Sequence, residues 1–220
     1  MIPLHTAEQL ARHAQTLLAP ACHQIMVVGS VRRRKPQTKD VELAVISKPA
    51  QPVFGDAASS KSRLDALLAR LLLHGDLKLP TPDRRVDGPR QKRYLIPQAG
   101  GVELELWIAD SADNWGNVVT VRTGDYEFSK LLVTQRRDGG CLPNGWMHAH
   151  GYLWPFRLKQ EERARLTLRN APEPPIACPT EDDFFVALGV PPELIPHPMT
   201  RDLKMAERLR GRLSRERVKV

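Results

Sequence analysis

The chain has 220 residues, 41% of them hydrophobic and 26% charged, enough to bury one core or one core plus a small appended lobe. Its 33 Lys and Arg against 25 Asp and Glu leave a formal charge of +8, compatible with a nucleic-acid partner without requiring one. No apolar run approaches the roughly 18 to 20 residues of a membrane span. The opening MIPLHTAEQL lacks the basic-then-apolar order of a secretory signal, and three widely spaced cysteines, Cys22, Cys141 and Cys178, argue against a disulfide framework or a zinc site.

In chain order, Thr6 to Ala19 reads as an amphipathic helix with Thr6 as its N-cap, ended by Pro20. Ile25 to Val28 and Val41 to Ile46 read as buried strands. Lys48 to Ser60, with its prolines, glycine and small residues, reads as a surface loop. Ser62 to Leu73 is expected to be a leucine-rich helix stopping near Gly75, and Thr81 to Arg90 a charged, turn-rich connection. Arg93 to Ile96 and Val102 to Ile108, joined by Pro97 to Gly101, predict a hairpin.

Helices are then expected over about Ser111 to Val119 and Tyr126 to Arg136, separated at Thr123-Gly124. Trp146 to His150 and Tyr152 to Phe156 read as short paired strands, and proline-rich Asn170 to Thr180 as an extended segment. A short helix at Glu181 to Leu188 and a strongly basic one at Thr200 to Ser214 complete the order. Strands alternating with helices first, and short mixed elements afterwards, indicate an α+β or α/β core with a small C-terminal lobe.

One constellation carries chemistry. Gly29-Ser30 ends a strand, where a glycine turn brings backbone N–H groups and a hydroxyl close to a phosphate. Arg32, Arg33, Arg34 and Lys35 come next, and arginine forks suit phosphate oxygens. Asp40 and Glu42 then share one face of the next strand, since side chains alternate with period two, and Glu103 and Glu105 repeat that spacing later. Carboxylates from adjacent strands are a donor set for divalent cations, which activate a hydroxyl nucleophile and offset charge on a pyrophosphate leaving group. A P-loop or a Rossmann fingerprint is absent. The pair His148 and His150 lacks a third ligand at a sensible spacing and reads as part of a strand.

The run G-S-x-R-R-x-K-x-x-x-x-D-x-E, Gly29 to Glu42, resembles the signature of the nucleotidyltransferase superfamily, specifically the family X DNA polymerases related to polymerase beta and polymerase lambda. QKRYLIP and VELELWIA resemble that family's hairpin bearing the third carboxylate. Thr123-Gly124 with Phe128 and Lys130 resembles its Thr-Gly turn and the helix lining the nucleotide pocket. GWMHAHGYLW falls at its apolar strand, and PTEDDFFVALGVPPELIPHPMTRD is similar to its closing segment. The matches span essentially the whole chain, in order.

The resemblance implies an α+β fold, a polymerase beta-like palm over 1–138, with a small mixed C-terminal lobe and basic tail over 139–220. It implies two Mg²⁺ or Mn²⁺ ions on Asp40, Glu42 and Glu103, with Gly29, Ser30, Arg33, Thr38, Lys39, Thr123 and Gly124 around a nucleoside triphosphate. The expected activity is DNA polymerisation onto a primer 3′-hydroxyl, in gap filling or repair. The expected partners are primer/template or gapped DNA, gripped by the basic tail through Arg208, Arg210 and Arg212. A monomer is expected, in bacterial or viral cytoplasm or associated with nucleic acid, neither secreted nor membrane-bound, and without the family's N-terminal lyase domain.

Glu42 and Glu103 stand where the family usually has Asp, and Gly101-Val102 where an Arg often precedes the third carboxylate. Val121-Arg122 replace the Tyr-Phe that helps exclude a ribose 2′-hydroxyl, so weak sugar discrimination is expected. Two alternatives stay open: nucleotide transfer to an RNA end, small molecule or protein, and a degenerate nucleic-acid-binding protein.

Overall fold

The computed structural model describes residues 1–50 and 62–215. Most of the loop expected at Lys48 to Ser60, and the last part of the basic tail, lie outside the described residues. The described chain divides into two compact units, Met1–Asp110 and Ser111 onward.

The first unit is a four-stranded mixed sheet in the order β2-β4-β6-β5, where β2 is Cys22–Val27, β4 Asp40–Ser47, β5 Gln91–Ile96 and β6 Val102–Ala109. β2 and β5 are antiparallel to their neighbours, and β4 and β6 are parallel. A small antiparallel pair, β1 (Ile2–Pro3) with β3 (Gln37–Thr38), ties the N-terminus to the segment before β4. Helix α1 spans Leu4–Leu18 and buries Ala7, Ala11, Ala14 and Leu18, whose spacing makes one stripe. It starts two residues earlier than expected, so Thr6 is not its N-cap. Pro3, with φ held at −62°, enters the helix directly, and the Leu4 amide is satisfied by the Pro36 carbonyl at 3.0 Å.

Helix α2 is the single turn Gly29–Arg32. Helix α3, Arg63–His74, opens with a reciprocal cap: the Asp65 amide donates to Ser62 Oγ at 3.2 Å, and the Ser62 amide to Asp65 Oδ2 at 3.1 Å. The helix ends at Gly75, left-handed at φ 79°. Alternate residues Val41, Leu43 and Val45 of β4, with Leu104 and Leu106 of β6, join the α1 and α3 stripes in one core. The opposite face of the same strands carries Asp40, Glu42, Glu103 and Glu105.

The second unit contains α4 (Trp115–Thr123), α5 (Tyr126–Val133), the antiparallel pair β7 (Met147–Ala149) and β8 (Tyr152–Trp154), the turn α6 (Gln160–Arg163), α7 (Glu181–Ala187) and α8 (Leu203–Arg215). His150 and Gly151 join β7 to β8 with φ 56° and 81°, the left-handed pair a tight hairpin turn demands. His150 bonds the Arg163 carbonyl through Nε2 at 2.7 Å, so its ring is engaged locally. Phe128, Leu132, Phe184, Phe185, Ala206, Leu209 and Leu213 form this unit's core. The compact units part at Asp110, with α4 packed on α7 and α5 on α8 in the second. Gly116 of α4 donates its amide to the Cys178 carbonyl at 2.8 Å and lies against the Thr180 carbonyl before α7, and α5 packs on α8.

Among the described residues, no helix is long and apolar enough to cross a membrane.

A Cβ on Gly116 would fall 1.9 Å from the Thr180 carbonyl oxygen, a backbone atom that cannot swing aside. Gly116→Ala is therefore expected to destabilise the second unit by about 2–3 kcal/mol, read as a lowered melting temperature of the full chain.

Candidate active site

In-register parallel pairing sets Asp40 beside Glu103 and Glu42 beside Glu105, all on the face away from the α1 and α3 core. Like charges this close cost free energy, and the surroundings offset it with fixed donors. Arg93, opposite Glu105 on β5, donates to it through Nε at 2.8 Å and through a second guanidinium nitrogen, a two-pronged grip on a carboxylate only 8% exposed. Arg84, on the short turn Pro82–Arg84, reaches both oxygens of Glu103 at 2.8 and 3.0 Å. Trp107 Nε1–H donates to Glu42 Oε1 at 3.2 Å.

Asp40 lacks so strong a hold, and its carboxyl is pushed above the usual range by burial first, then by the charges of Glu105 and Glu103, against the lowering effect of Arg93. Its backbone is anchored by Thr38, whose buried hydroxyl donates to the Asp40 carbonyl at 2.6 Å. Thr38 thus shapes the start of β4, while Lys39 is exposed beside it. Lys39, Asp40, Arg84 and Glu103 together line a cleft of about 410 Å³ that reaches Gly101 and Val102 at the hairpin tip.

The Gly29-Ser30 turn adjoins this face. Val28 donates its amide to the Glu42 carbonyl at 2.9 Å, and Gly29 then takes φ 66° into α2. Glu42 folds against that turn: a Cβ on Gly29 would lie 1.7 Å from Glu42 Oε2. Glycine is required here twice over, for its dihedral and for the carboxylate against it. Ser30 and Arg33 come within a turn, and Arg34 closes it at φ 56°, its amide held by the Val31 carbonyl at 2.9 Å.

All the expected carboxylate and phosphate-side residues, Gly29, Ser30, Arg33, Thr38, Lys39, Asp40, Glu42 and Glu103, therefore belong to the first unit. Thr123 and Gly124 lie in the second, at the end of α4. A Cβ on Gly124 would fall 2.4 Å from the Phe128 ring, so the Thr-Gly turn packs directly on α5, whose first turn Asp125 caps by accepting from the Phe128 amide at 2.8 Å. Arg208, Arg210 and Arg212 lie on α8, also in the second unit.

Glu105 is the residue that sequence spacing underweights. Its period-two relation to Glu103 is visible there, but not its burial, its place opposite Glu42 or its pairing with Arg93. Arg84 and Arg93 escape a reading of the sequence as well, because nothing local marks an arginine as the partner of a given carboxylate.

The donor set fits hard divalent cations in kind: every side chain offered is a carboxylate, and Glu105 and Glu103 add negative charge at Asp40, second to the effect of its burial. Among the described residues no three acids are yet gathered as ligands around one point, since arginines and Trp107 hold Glu103, Glu105 and Glu42.

No protein-family model and no curated protein matches the chain. Its fold does match solved structures. The Leishmania infantum polymerase beta in a ternary P/T complex aligns with TM-score 0.62 and 17% identity, over 91% of this chain and 76% of that one. The same organism's polymerase beta in a ternary gap complex aligns with TM-score 0.61 and 17% identity, over 91% and 70%. The chain thus has a polymerase beta-like α+β fold.

Raising the folded-state carboxyl of Asp40 means that its ionisation opposes folding: the stability it contributes is complete in acid and is lost as pH rises through the folded value. Asp40→Asn is expected to raise the melting temperature at neutral pH in a metal-free buffer, and to leave it unchanged once the pH falls below the ordinary aspartate range.

Proposed function

We propose that the protein is a metal-dependent nucleotidyltransferase of the polymerase type, extending the 3′-hydroxyl of a DNA primer with nucleoside triphosphates as substrates. The observation that carries this reading is the registered face of Asp40, Glu42, Glu103 and Glu105 placed against the Gly29-Ser30 turn. Its fold is that of polymerase beta solved in P/T and gap complexes, which supports a DNA substrate.

In the proposed reaction the primer 3′-oxygen attacks the α-phosphorus. A new P–O bond forms, the bond to the β-phosphate oxygen breaks, pyrophosphate departs, and the hydroxyl proton is lost. Two Mg²⁺ or Mn²⁺ ions, held by Asp40 and Glu42 with a carboxylate of β6, would supply charge for the attacking and leaving oxygens. Gly29 N–H, the Ser30 hydroxyl and Arg33 would orient the triphosphate, with Lys39 beside Asp40 adding positive charge at the cleft. Glu42, one methylene longer than Asp, spans from β4 to the Gly29 turn, so the carboxylate touching the phosphate-side backbone is also held by Trp107.

Of the two β6 carboxylates, the family resemblance makes Glu103 the third member. Glu105 is favoured by its place opposite Glu42 in the register and by its deeper burial, with Glu103 lining the cleft and paired with Arg84. Arg84 and Arg93 then act as positioning residues, keeping carboxylates aligned until cations replace part of their charge.

Primer extension on a gapped duplex with Mg²⁺ or Mn²⁺ tests both points. Asp40→Ala is expected to lower the rate by at least about a hundredfold, the loss of several kcal/mol of transition-state stabilisation. Glu105→Gln should match it, while Glu103→Gln should cost about tenfold or less. The reverse order would restore Glu103 as the third carboxylate. Extension unaffected by Asp40→Ala would sink the assignment, and DNA binding with no extension would leave a degenerate binding protein.

A further inference from the structure

The second unit has a cleft of its own, about 310 Å³, between α8 and the segment 193–200. Arg208 and Arg212, one turn apart on α8, line it together with His197, and Leu194, Ile195 and Met205 supply apolar walls. Neither arginine has an ion-pair or hydrogen-bond partner among the described residues. Arg210 is placed differently, with a nitrogen 3.5 Å from the Gly139 carbonyl.

The wall facing α8 is built rather than loose. Arg201 is 2% exposed, donates through Nε to the Pro196 carbonyl at 3.2 Å, pairs with Glu181 and lies 5.2 Å over the Phe185 ring. His197 accepts the Met199 amide on Nδ1 at 3.3 Å, which puts the neutral ring's proton on Nε2 and leaves that atom a donor.

We propose that this cleft binds one nucleotide unit of a single-stranded nucleic acid, its phosphate held by Arg208, Arg212 and His197 and its base laid on Leu194, Ile195 and Met205. The volume is that of a small-molecule site, guanidinium forks match phosphate oxygens, and an apolar wall with an adaptable methionine accepts the face of any base. The choice of nucleic acid over another phosphate carrier rests on the transferase reading; the cleft itself does not. Base identity is not selected, because the side chains of the base wall, Leu194, Ile195 and Met205, carry no N–H or O–H donor and no oxygen acceptor.

The test is fluorescence anisotropy of a labelled short oligodeoxythymidine with the full chain, over a range of salt. Arg208→Gln with Arg212→Gln is expected to weaken binding about tenfold or more and to flatten the salt slope by roughly 1.4, two phosphate contacts at about 0.7 each on a single strand. Arg210→Gln should change affinity far less, and Glu193→Lys, which adds a cation at the same cleft, should tighten it. Thymidine monophosphate should compete at lower concentration than inorganic phosphate.

Equal losses from Arg210→Gln and the double variant would mean diffuse surface charge and overturn the site, as would an unchanged double variant or a wild type that does not bind the strand. Competition by thymidine monophosphate as tight as the strand itself would reject the strand in favour of a free nucleotide. Primer extension measured alongside separates the two readings. Extension with strand binding indifferent to the arginine pair overturns the cleft alone, and strand binding through the pair without extension overturns the transferase alone.

Discussion

The parallel pairing of β4 with β6 is the constraint on which the acidic site depends. Its register sets Asp40 beside Glu103 and Glu42 beside Glu105, so one hydrogen-bonded ladder gathers four negative charges on one face of a sheet. Such a face is unfavourable by itself. It is held by the opposite face, where Val41, Leu43, Val45, Leu104 and Leu106 are buried against α1 and α3 and cannot shift by one residue without exposing themselves. The hydrophobic side of the strands thus fixes the register that the charged side needs.

The offsets to that charge are themselves informative. Arg93 grips Glu105 with two nitrogens, Arg84 reaches both oxygens of Glu103, and Trp107 donates to Glu42, while burial and the neighbouring glutamates raise the proton affinity of Asp40. Breaking any such pair leaves an uncompensated charge, so a clustered set persists only where something else is gained from it. Close backbone approach contributes equally. Gly29 brings the turn after β2 onto the Glu42 carboxylate, joining the Gly29-Ser30 turn to the acidic face.

The second unit uses the same residue type for a different purpose. Arg201 is buried to the level of the core and serves as a cross-brace between the Pro196 carbonyl, Glu181 and the Phe185 ring, whereas Arg208 and Arg212 on α8 face an open cleft. Arginine in this basic C-terminal segment is therefore not one class. On α8 itself, position relative to its buried stripe of Ala206, Leu209 and Leu213 decides which guanidinium groups face the cleft.

Much of this was legible in the residues. Period-two alternation in DVELAVI and VELELWIA marked both strands and put their acids on a single side, Gly29-Ser30 announced the turn, and the leucine-rich run from Ser62 to Gly75 marked α3, because each of these signals acts over a few neighbouring residues. Some local signals misled: Thr6 has the chemistry of a cap, yet Pro3 and the Pro36 carbonyl start α1 at Leu4. What only the tertiary structure decided was non-local: the register that sets Asp40 beside Glu103 and Glu42 beside Glu105, the arginines that hold the glutamates, the packing of α4 and α5 in the unit after Asp110, and the cleft shared by α8 and the segment before it. The sequence determined which side chains each strand and helix presents, since that is set by backbone geometry. Which of them meet depends on how separate elements bury their apolar faces together, and only the folded chain settles that.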